Sequence, residues 1–415
     1  MTLTITPAKL SGTVTPPPSK SQAHRFLIAA ALAEGESVIH DLVMSEDIQA
    51  TLRCLEELGA AFSWEGHSLY ILGMAANPMS PLRRMALPHL DCGESGSTLR
   101  FLIPIALAVR GGGVFTGHGR LMERPQGPYF DLFRQKGVFY EQKDSVLTVQ
   151  GLLTPGEYAL PGNVSSQFFT GLLYALPLLD GPSVLRPTTP LESEGYLHMT
   201  LQAMAQFGVE LPVSLSLPPH YHPQGNQTYR PAHVTVEADW SQAGFWYAAR
   251  FLGNAVTVQG LNESSAQGDR VIARQLEALQ GPGELELDVS GCPDLVPPLA
   301  AMAALRTGET TRLTNASRLR MKESDRLASV TAVLTALGAD IEEGPDFLTI
   351  CGRETLAGGV SVDSFNDHRI AMMTAIAATR CQQPVTLTGG ESVNKSYPDF
   401  WEEYQRLGGK LTCGT

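Results

Sequence analysis

The chain has 415 residues, of which 43% are hydrophobic and 17% charged, and a formal net charge of −12. So acidic a surface repels nucleic acid and anionic membranes, so any cationic site has to be local. A chain this long is expected to divide its apolar residues between two cores.

Two patterns alternate along the chain. In the first, a polar residue opens a segment that then turns almost wholly apolar. Such segments start near Ser21 (into 26–32, FLIAAAL), Ser97 (102–107, LIPIAL), Ser166 (168–173, FFTGLL), Ser241 (245–249, FWYAA), Asp294 (298–303, PLAAMA) and Asp367 (370–376, IAMMTAI). Helices that are apolar all round are buried ones. In the second pattern an amphipathic helical stretch stops at a glycine, at Gly59, Gly137, Gly208, Gly281, Gly338 and Gly408, and a strand-like run follows. Glycine there is the usual left-handed helix stop. The glycines are 57 to 78 residues apart, too far for a solenoid repeat and suited to a small α/β unit. Six units in two domains give three per domain.

The buried helices carry their unusual polar residues at their N-termini. These are Lys20, Ser21 and Arg25; Gly96, Ser97 and Arg100; Ser165, Ser166 and Gln167; Asp239 and Ser241; Asp294; and Asp367, His368 and Arg369. Unpaired N–H groups and a partial positive charge make a helix N-terminus an anion site. Six together, three with added Lys or Arg, point to a cleft that holds anions. The densest charge lies at 318–326 (RLRMKESDR), where six of nine residues are ionised. Continued as a helix, this stretch puts Lys322 and Arg326 on one face at i, i+4, with Glu323 beside the Lys ammonium.

The six cysteines are far apart in sequence, which predicts free thiols and no metal site. The first ten residues lack the apolar core of a signal peptide, and the longest apolar-rich run, 168–179, is too short to span a bilayer. A cytoplasmic protein is expected.

Seven motifs occur in a fixed order: 19–21 (SKS) with Arg25, 91–100 (DCGESGSTLR), 120–125 (RLMERP), 164–167 (VSSQ), 322–326 (KESDR), 366–369 (NDHR) and 394–399 (NKSYPD). On these, essentially end to end, the chain resembles the 5-enolpyruvylshikimate-3-phosphate synthase family of enolpyruvyl transferases. The resemblance implies a two-domain inside-out α/β barrel, each domain made of three β-α-β-α-β-β units with buried helices. Residues 19–236 would form the shikimate 3-phosphate side, and 1–18 with 237–415 the second domain, with the active site in the cleft between. It also implies that Lys20, Ser21, Arg25, Ser165, Ser166, Gln167, Ser193 and Tyr196 hold shikimate 3-phosphate, together with Asp294 and Lys322. Phosphoenolpyruvate would meet Lys20, Gly96, Arg124, Gln167, Arg326, Arg369 and Lys395.

In the reaction so implied, Asp294 is the base for the 5-hydroxyl and Glu323 the acid for the methylene carbon, a two-carboxylate division of labour. Lys322 steadies the charge and Lys20 assists. No cofactor or metal is required, and a monomer acting on two small molecules is expected; the family is a glyphosate target, in which glyphosate would compete with phosphoenolpyruvate, and the sensitivity of this chain is left open. Two related activities fit less well. The cell-wall enolpyruvyl transferases typically use a cysteine on a mobile loop, and 109–125 contains none; the RNA 3′-phosphate cyclases would want a basic track.

Overall fold

The computed structural model describes residues 1–80, 86–214 and 216–414. Its contacts divide the chain into one compact unit of Met1–Pro17 with Ala238–Thr415 and another of Pro18–Glu237. Each has its own apolar core, one running from Ala23 to Val236 and the other from Ile5 to Val14 and Trp240 to Leu407.

In the Pro18–Glu237 unit the helices are α1 (Lys20–Leu32), α2 (Glu46–Leu58), α3 (Gly96–Arg110), α4 (Gly127–Lys136), α5 (Ser166–Ala175) and α6 (Glu194–Gln206). In the other they are α7 (Trp240–Phe251), α8 (Ile272–Gln280), α9 (Val296–Ala304), α10 (Arg326–Leu337), α11 (His368–Ala378) and α12 (Phe400–Arg406). The odd-numbered helices are the buried ones, as their apolar composition predicts. Most link two parallel strands: His89–Asp91 to Gly112–Thr116 through α3, Gly156–Leu160 to Ser183–Pro187 through α5, Leu285–Asp288 to Thr310–Thr314 through α9, and Ser361–Asp363 to Val385–Thr388 through α11. A parallel pair needs such a crossover, which buries the helix against the sheet. Four sheets have four strands each. In all four the parallel pair is extended by two antiparallel strands, as where Gly112–Thr116 pairs with Val146–Gln150 and that strand with Phe139–Lys143.

The close approach of α3 and α5 has a definite cause. Pro104 lies inside α3 and has no N–H for the Arg100 carbonyl one turn back. The Tyr129 hydroxyl donates to that carbonyl instead, at 2.7 Å. Gly171 on α5 faces the same spot, where a Cβ would come within 2.6 Å of both the Arg100 oxygen and the Tyr129 hydroxyl. Only glycine lets the two helices meet there, and the meeting sets their N-terminal residues Ser97 and Gln167 against each other.

Two local expectations are corrected. Gly281 follows α8 in an extended conformation, φ −72°, ψ 156°, so it is no left-handed stop, whereas Gly59, Gly137 and Gly338 are. Nor does 318–326 continue as a helix. Ser317–Met321 is a 3-10 turn, and α10 begins only at Arg326, because the Asp325 side chain accepts the Ala328 N–H and caps it. Lys322 and Glu323 therefore lie on the connecting turn.

Candidate active site

Side chains cap the buried helices as their sequences suggest. The Ser19, Ser95 and Ser165 hydroxyls accept from the N–H groups of Gln22, Thr98 and Gln167, and the Asp239 and Asp367 carboxylates from those of Ser241 and Arg369. Asp294 differs. It sits in a 3-10 turn, Pro293–Leu295, ahead of α9, and the capping positions are Cys292 and Leu295, neither through its side chain. Three prolines in 293–298 lack N–H groups for a carboxylate to cap. That leaves the Asp294 carboxylate to interact with other side chains.

In the Pro18–Glu237 unit the polar residues gather in two groups. In the first, Lys20 at the start of α1 donates to Asp47 Oδ2 at 2.6 Å. Arg25, 2% exposed, donates to the Ser21 carbonyl at 2.6 Å, the Tyr196 carbonyl at 2.9 Å and the Thr200 hydroxyl at 2.9 Å. All three are neutral oxygens, and burial lowers the Arg25 pKa to about 10. A buried cation held only by neutral acceptors favours an incoming anion. Ser193, buried at the N-terminus of α6 with φ 56°, borders Tyr196 one turn on. In the second group, Gln167 on α5 accepts from Arg100 at 2.9 Å and donates to the Ser97 hydroxyl at 3.0 Å. A Cβ on Gly96 would lie 2.6 Å from Arg124 Nη1 and 3.6 Å from Gln167 Oε1, so the bare first residue of α3 stands against a guanidinium, a group that grips anions. Ser165 and Ser166 begin α5 beside Gln167.

The other unit holds Asp294, Lys322, Glu323, Arg326, Arg369 and Lys395. Arg326 is 1% exposed, and its guanidinium reaches three carboxylates: Asp367 (2.8 Å), Asp294 (2.8 Å) and Glu323 (2.7 Å). Burial disfavours its charge, but Asp367, Glu323 and Asp294 outweigh that and raise its pKa. Arg369 donates to the second Asp294 oxygen at 2.9 Å and to the Ser241 hydroxyl at 3.0 Å, and Lys322 Nζ stands 3.6 Å from Asp294. Burial pushes the Asp294 pKa up, yet Arg369, Lys322 and Arg326 together hold it well below the usual carboxylate range. Burial lowers Lys322 to about 8, against the pull of Asp294. Lys395, 4% exposed, donates to the Asn366 carbonyl at 2.7 Å. One guanidinium thus ties three carboxylates, Asp294, Glu323 and Asp367, to a common spot, where two of them are placed for paired acid and base work.

Asp47 and Thr200 also belong to these groups, although sequence reasoning did not single them out, and so do Arg100 and Asp367, which it named at helix starts without giving them a role toward either substrate. Asp47 reads as an ordinary acidic first turn of α2, and Thr200 as one hydroxyl among many. Asp367 sits inside the 366–369 motif, which was its available signal. Among the described residues, no three His, Cys, Asp or Glu side chains are grouped to hold a metal, and no helix is long and apolar enough to cross a membrane.

Residues 5–404 match the family model for EPSP synthase (3-phosphoshikimate 1-carboxyvinyltransferase). The chain is 43% identical to a 3-phosphoshikimate 1-carboxyvinyltransferase of Clostridium kluyveri, covering 99% of this chain and 98% of that one. It is 44% identical to one of Clostridium perfringens, covering 98% of each. In fold it is similar to an EPSP synthase of Acinetobacter baumannii (TM-score 0.79, 23% identity, 99% of this chain and 100% of the other). It is likewise similar to the enolpyruvyl transferase NikO of Streptomyces tendae (TM-score 0.77, 17% identity, 99% and 98%). The family model spans nearly the whole chain and the clostridial relatives match it from end to end, so the chain belongs to the EPSP synthase (3-phosphoshikimate 1-carboxyvinyltransferase) family.

Proposed function

We propose that the two sets of polar residues divide the work of the family's reaction. The chain transfers the enolpyruvyl group of phosphoenolpyruvate to the 5-hydroxyl of shikimate 3-phosphate and releases phosphate. Each half is read as three β-α-β-α-β-β units around buried helices, an inside-out α/β barrel. Shikimate 3-phosphate is assigned to Lys20, Ser21, Arg25, Ser165, Ser166, Gln167, Ser193 and Tyr196. Phosphoenolpyruvate is assigned to Gly96, Arg124 and Gln167 with Lys20 from one half and to Arg326, Arg369 and Lys395 from the other. Asp294 takes the 5-hydroxyl proton and Glu323 protonates the methylene carbon, giving a tetrahedral adduct. Glu323 recovers that proton as phosphate leaves, with Lys322 steadying the charge. Phosphate is already a leaving group, so no cofactor enters, and the reading is of a cytoplasmic monomer.

The observation that supports this assignment most directly is that Arg326 bonds Asp294 and Glu323 at once. Around it the carboxylates of Asp294, Glu323 and Asp367 are matched by the cations Lys322, Arg326 and Arg369. An anionic substrate competes for those cations, and each bond it captures frees a carboxylate oxygen for proton transfer. The substrate itself thereby releases the base from its ion pairs. Phosphate release should occur with shikimate 3-phosphate plus phosphoenolpyruvate. Asp294→Asn should still bind both substrates and lose turnover. Release that survives in that variant would remove Asp294 from the mechanism.

A further inference from the structure

His24 lies on α1 one turn beyond Lys20 and is 1% exposed. The reaction has no use for it, yet it starts a chain of buried hydrogen bonds. Its Nδ1 is 2.8 Å from Thr51 Oγ1, which is 2.6 Å from Thr98 Oγ1, which donates to Ser95 Oγ at 2.7 Å. Thr51, Thr98 and Ser95 are all 0% exposed, so bulk water does not compete. A hydroxyl has one proton to give. Thr98 gives its own to Ser95; the Thr51 hydroxyl faces both the Asp47 carbonyl at 3.3 Å and Thr98 at 2.6 Å, and the shorter contact, which Thr98 has no proton left to fill, takes it, so that His24 Nδ1–H is the donor to Thr51. Nε2 then carries the lone pair, and it has no hydrogen-bond partner among the described residues. Burial, followed by the charges of Lys20 and Arg25, lowers the His24 pKa well below its ordinary value and keeps the ring neutral.

The chain ends at the cap of α3. Ser95 Oγ accepts the Thr98 N–H at 3.2 Å, and the next residue is Gly96, against Arg124 and Gln167. We propose that His24 is a positioning residue for enolpyruvyl transfer: through Thr51 and Thr98 it fixes Ser95, and with it the first turn of α3 that receives phosphoenolpyruvate. This rests on the placement of phosphoenolpyruvate at Gly96 given above.

The test compares His24→Leu, Thr98→Val, the double variant and His24→Asn, with Gly96→Ala as a control. The Asn amide nitrogen occupies about the place of Nδ1, so it restores the donor. Loss of one neutral hydrogen bond changes an equilibrium by about three- to tenfold. His24→Leu and Thr98→Val should each raise KM for phosphoenolpyruvate by about that factor, with KM for shikimate 3-phosphate changed by less than about twofold. His24→Asn should return KM to near the parent value, and the double variant should be no worse than either single one. A residue that only fills the core would raise both KM values together, multiply in the double variant and show no rescue by Asn. Any of those results overturns the relay. An unchanged KM for phosphoenolpyruvate in Gly96→Ala overturns the placement of that substrate, and this role of His24 with it. A raised KM there beside an unaltered one in His24→Leu overturns the relay alone.

Discussion

Lys322 should give the enzyme a basic limit that a single substitution moves. Its side chain is 29% exposed and stands 3.6 Å from Asp294, and burial brings its pKa from the ordinary 10.5 to about 8. At 1.36 kcal/mol per pKa unit, that difference is on the order of 3 kcal/mol against the charged form. Between about 8 and 10.5 the unfolded chain binds a proton that the folded one has lost. The group therefore adds to the unfolding free energy as pH rises through that window, and the gain is absent below about 8. Activity should run the other way, because in the proposed mechanism the Lys322 ammonium steadies the charge. A profile of kcat/KM, which reports the free enzyme, should fall on the alkaline side with a midpoint near 8. In Lys322→Arg the cation persists well beyond pH 10, since a guanidinium titrates above about 12. The limb should then leave the measured range while the acidic side stays in place. If Lys322→Arg shows the same midpoint as the parent, the limb belongs to another group and the reasoning fails.

Asp367 is 0% exposed and anchors Arg326 while capping α11. Asp367→Asn should lower the unfolding free energy by about 3–5 kcal/mol, as loss of one partner of a buried pair does, read as a lower urea midpoint; an unchanged midpoint would show that Asp294 and Glu323 suffice for Arg326. Gly96→Ala brings a methyl to 2.6 Å from Arg124 Nη1. It should raise KM for phosphoenolpyruvate and weaken glyphosate more, since volume and not charge is altered; equal losses would mean that the two ligands do not differ at this wall.

Elements set by local rules were legible in the sequence. Apolar runs behind Ser19, Ser95, Ser165, Asp239 and Asp367 became buried helices, each with a side-chain cap, because composition and capping are both decided within a few residues. The 318–326 stretch misled for a related reason. Its charge spacing fits a helix, but Ser324 and Asp325 are better caps than helix interior, and the cap decided where α10 starts. Asp294 shows the complementary limit. Its position ahead of an apolar helix looks like a capping position, and only the long-range approach of Arg326 and Arg369 gives its carboxylate another use. The Arg25 brace to Thr200 and the His24 chain through Thr51 likewise join residues 175 and 27 positions apart. No spacing rule reaches that far.

The central claim is that Glu323 exchanges a proton with carbon, and the incorporation of solvent deuterium tests it most directly. Glu323→Gln keeps the size and much of the hydrogen bonding to Arg326, which is now 2.7 Å from the carboxylate, but removes the proton that is passed on. Substrate binding should survive, and turnover should fall by roughly two to four orders of magnitude, the usual worth of a general acid. With shikimate 3-phosphate present in deuterated water, the parent enzyme should place deuterium in the methylene group of recovered phosphoenolpyruvate, and the variant should place none. Exchange at the parent rate in Glu323→Gln would contradict the account and pass the role of acid to Lys322 or a bound water.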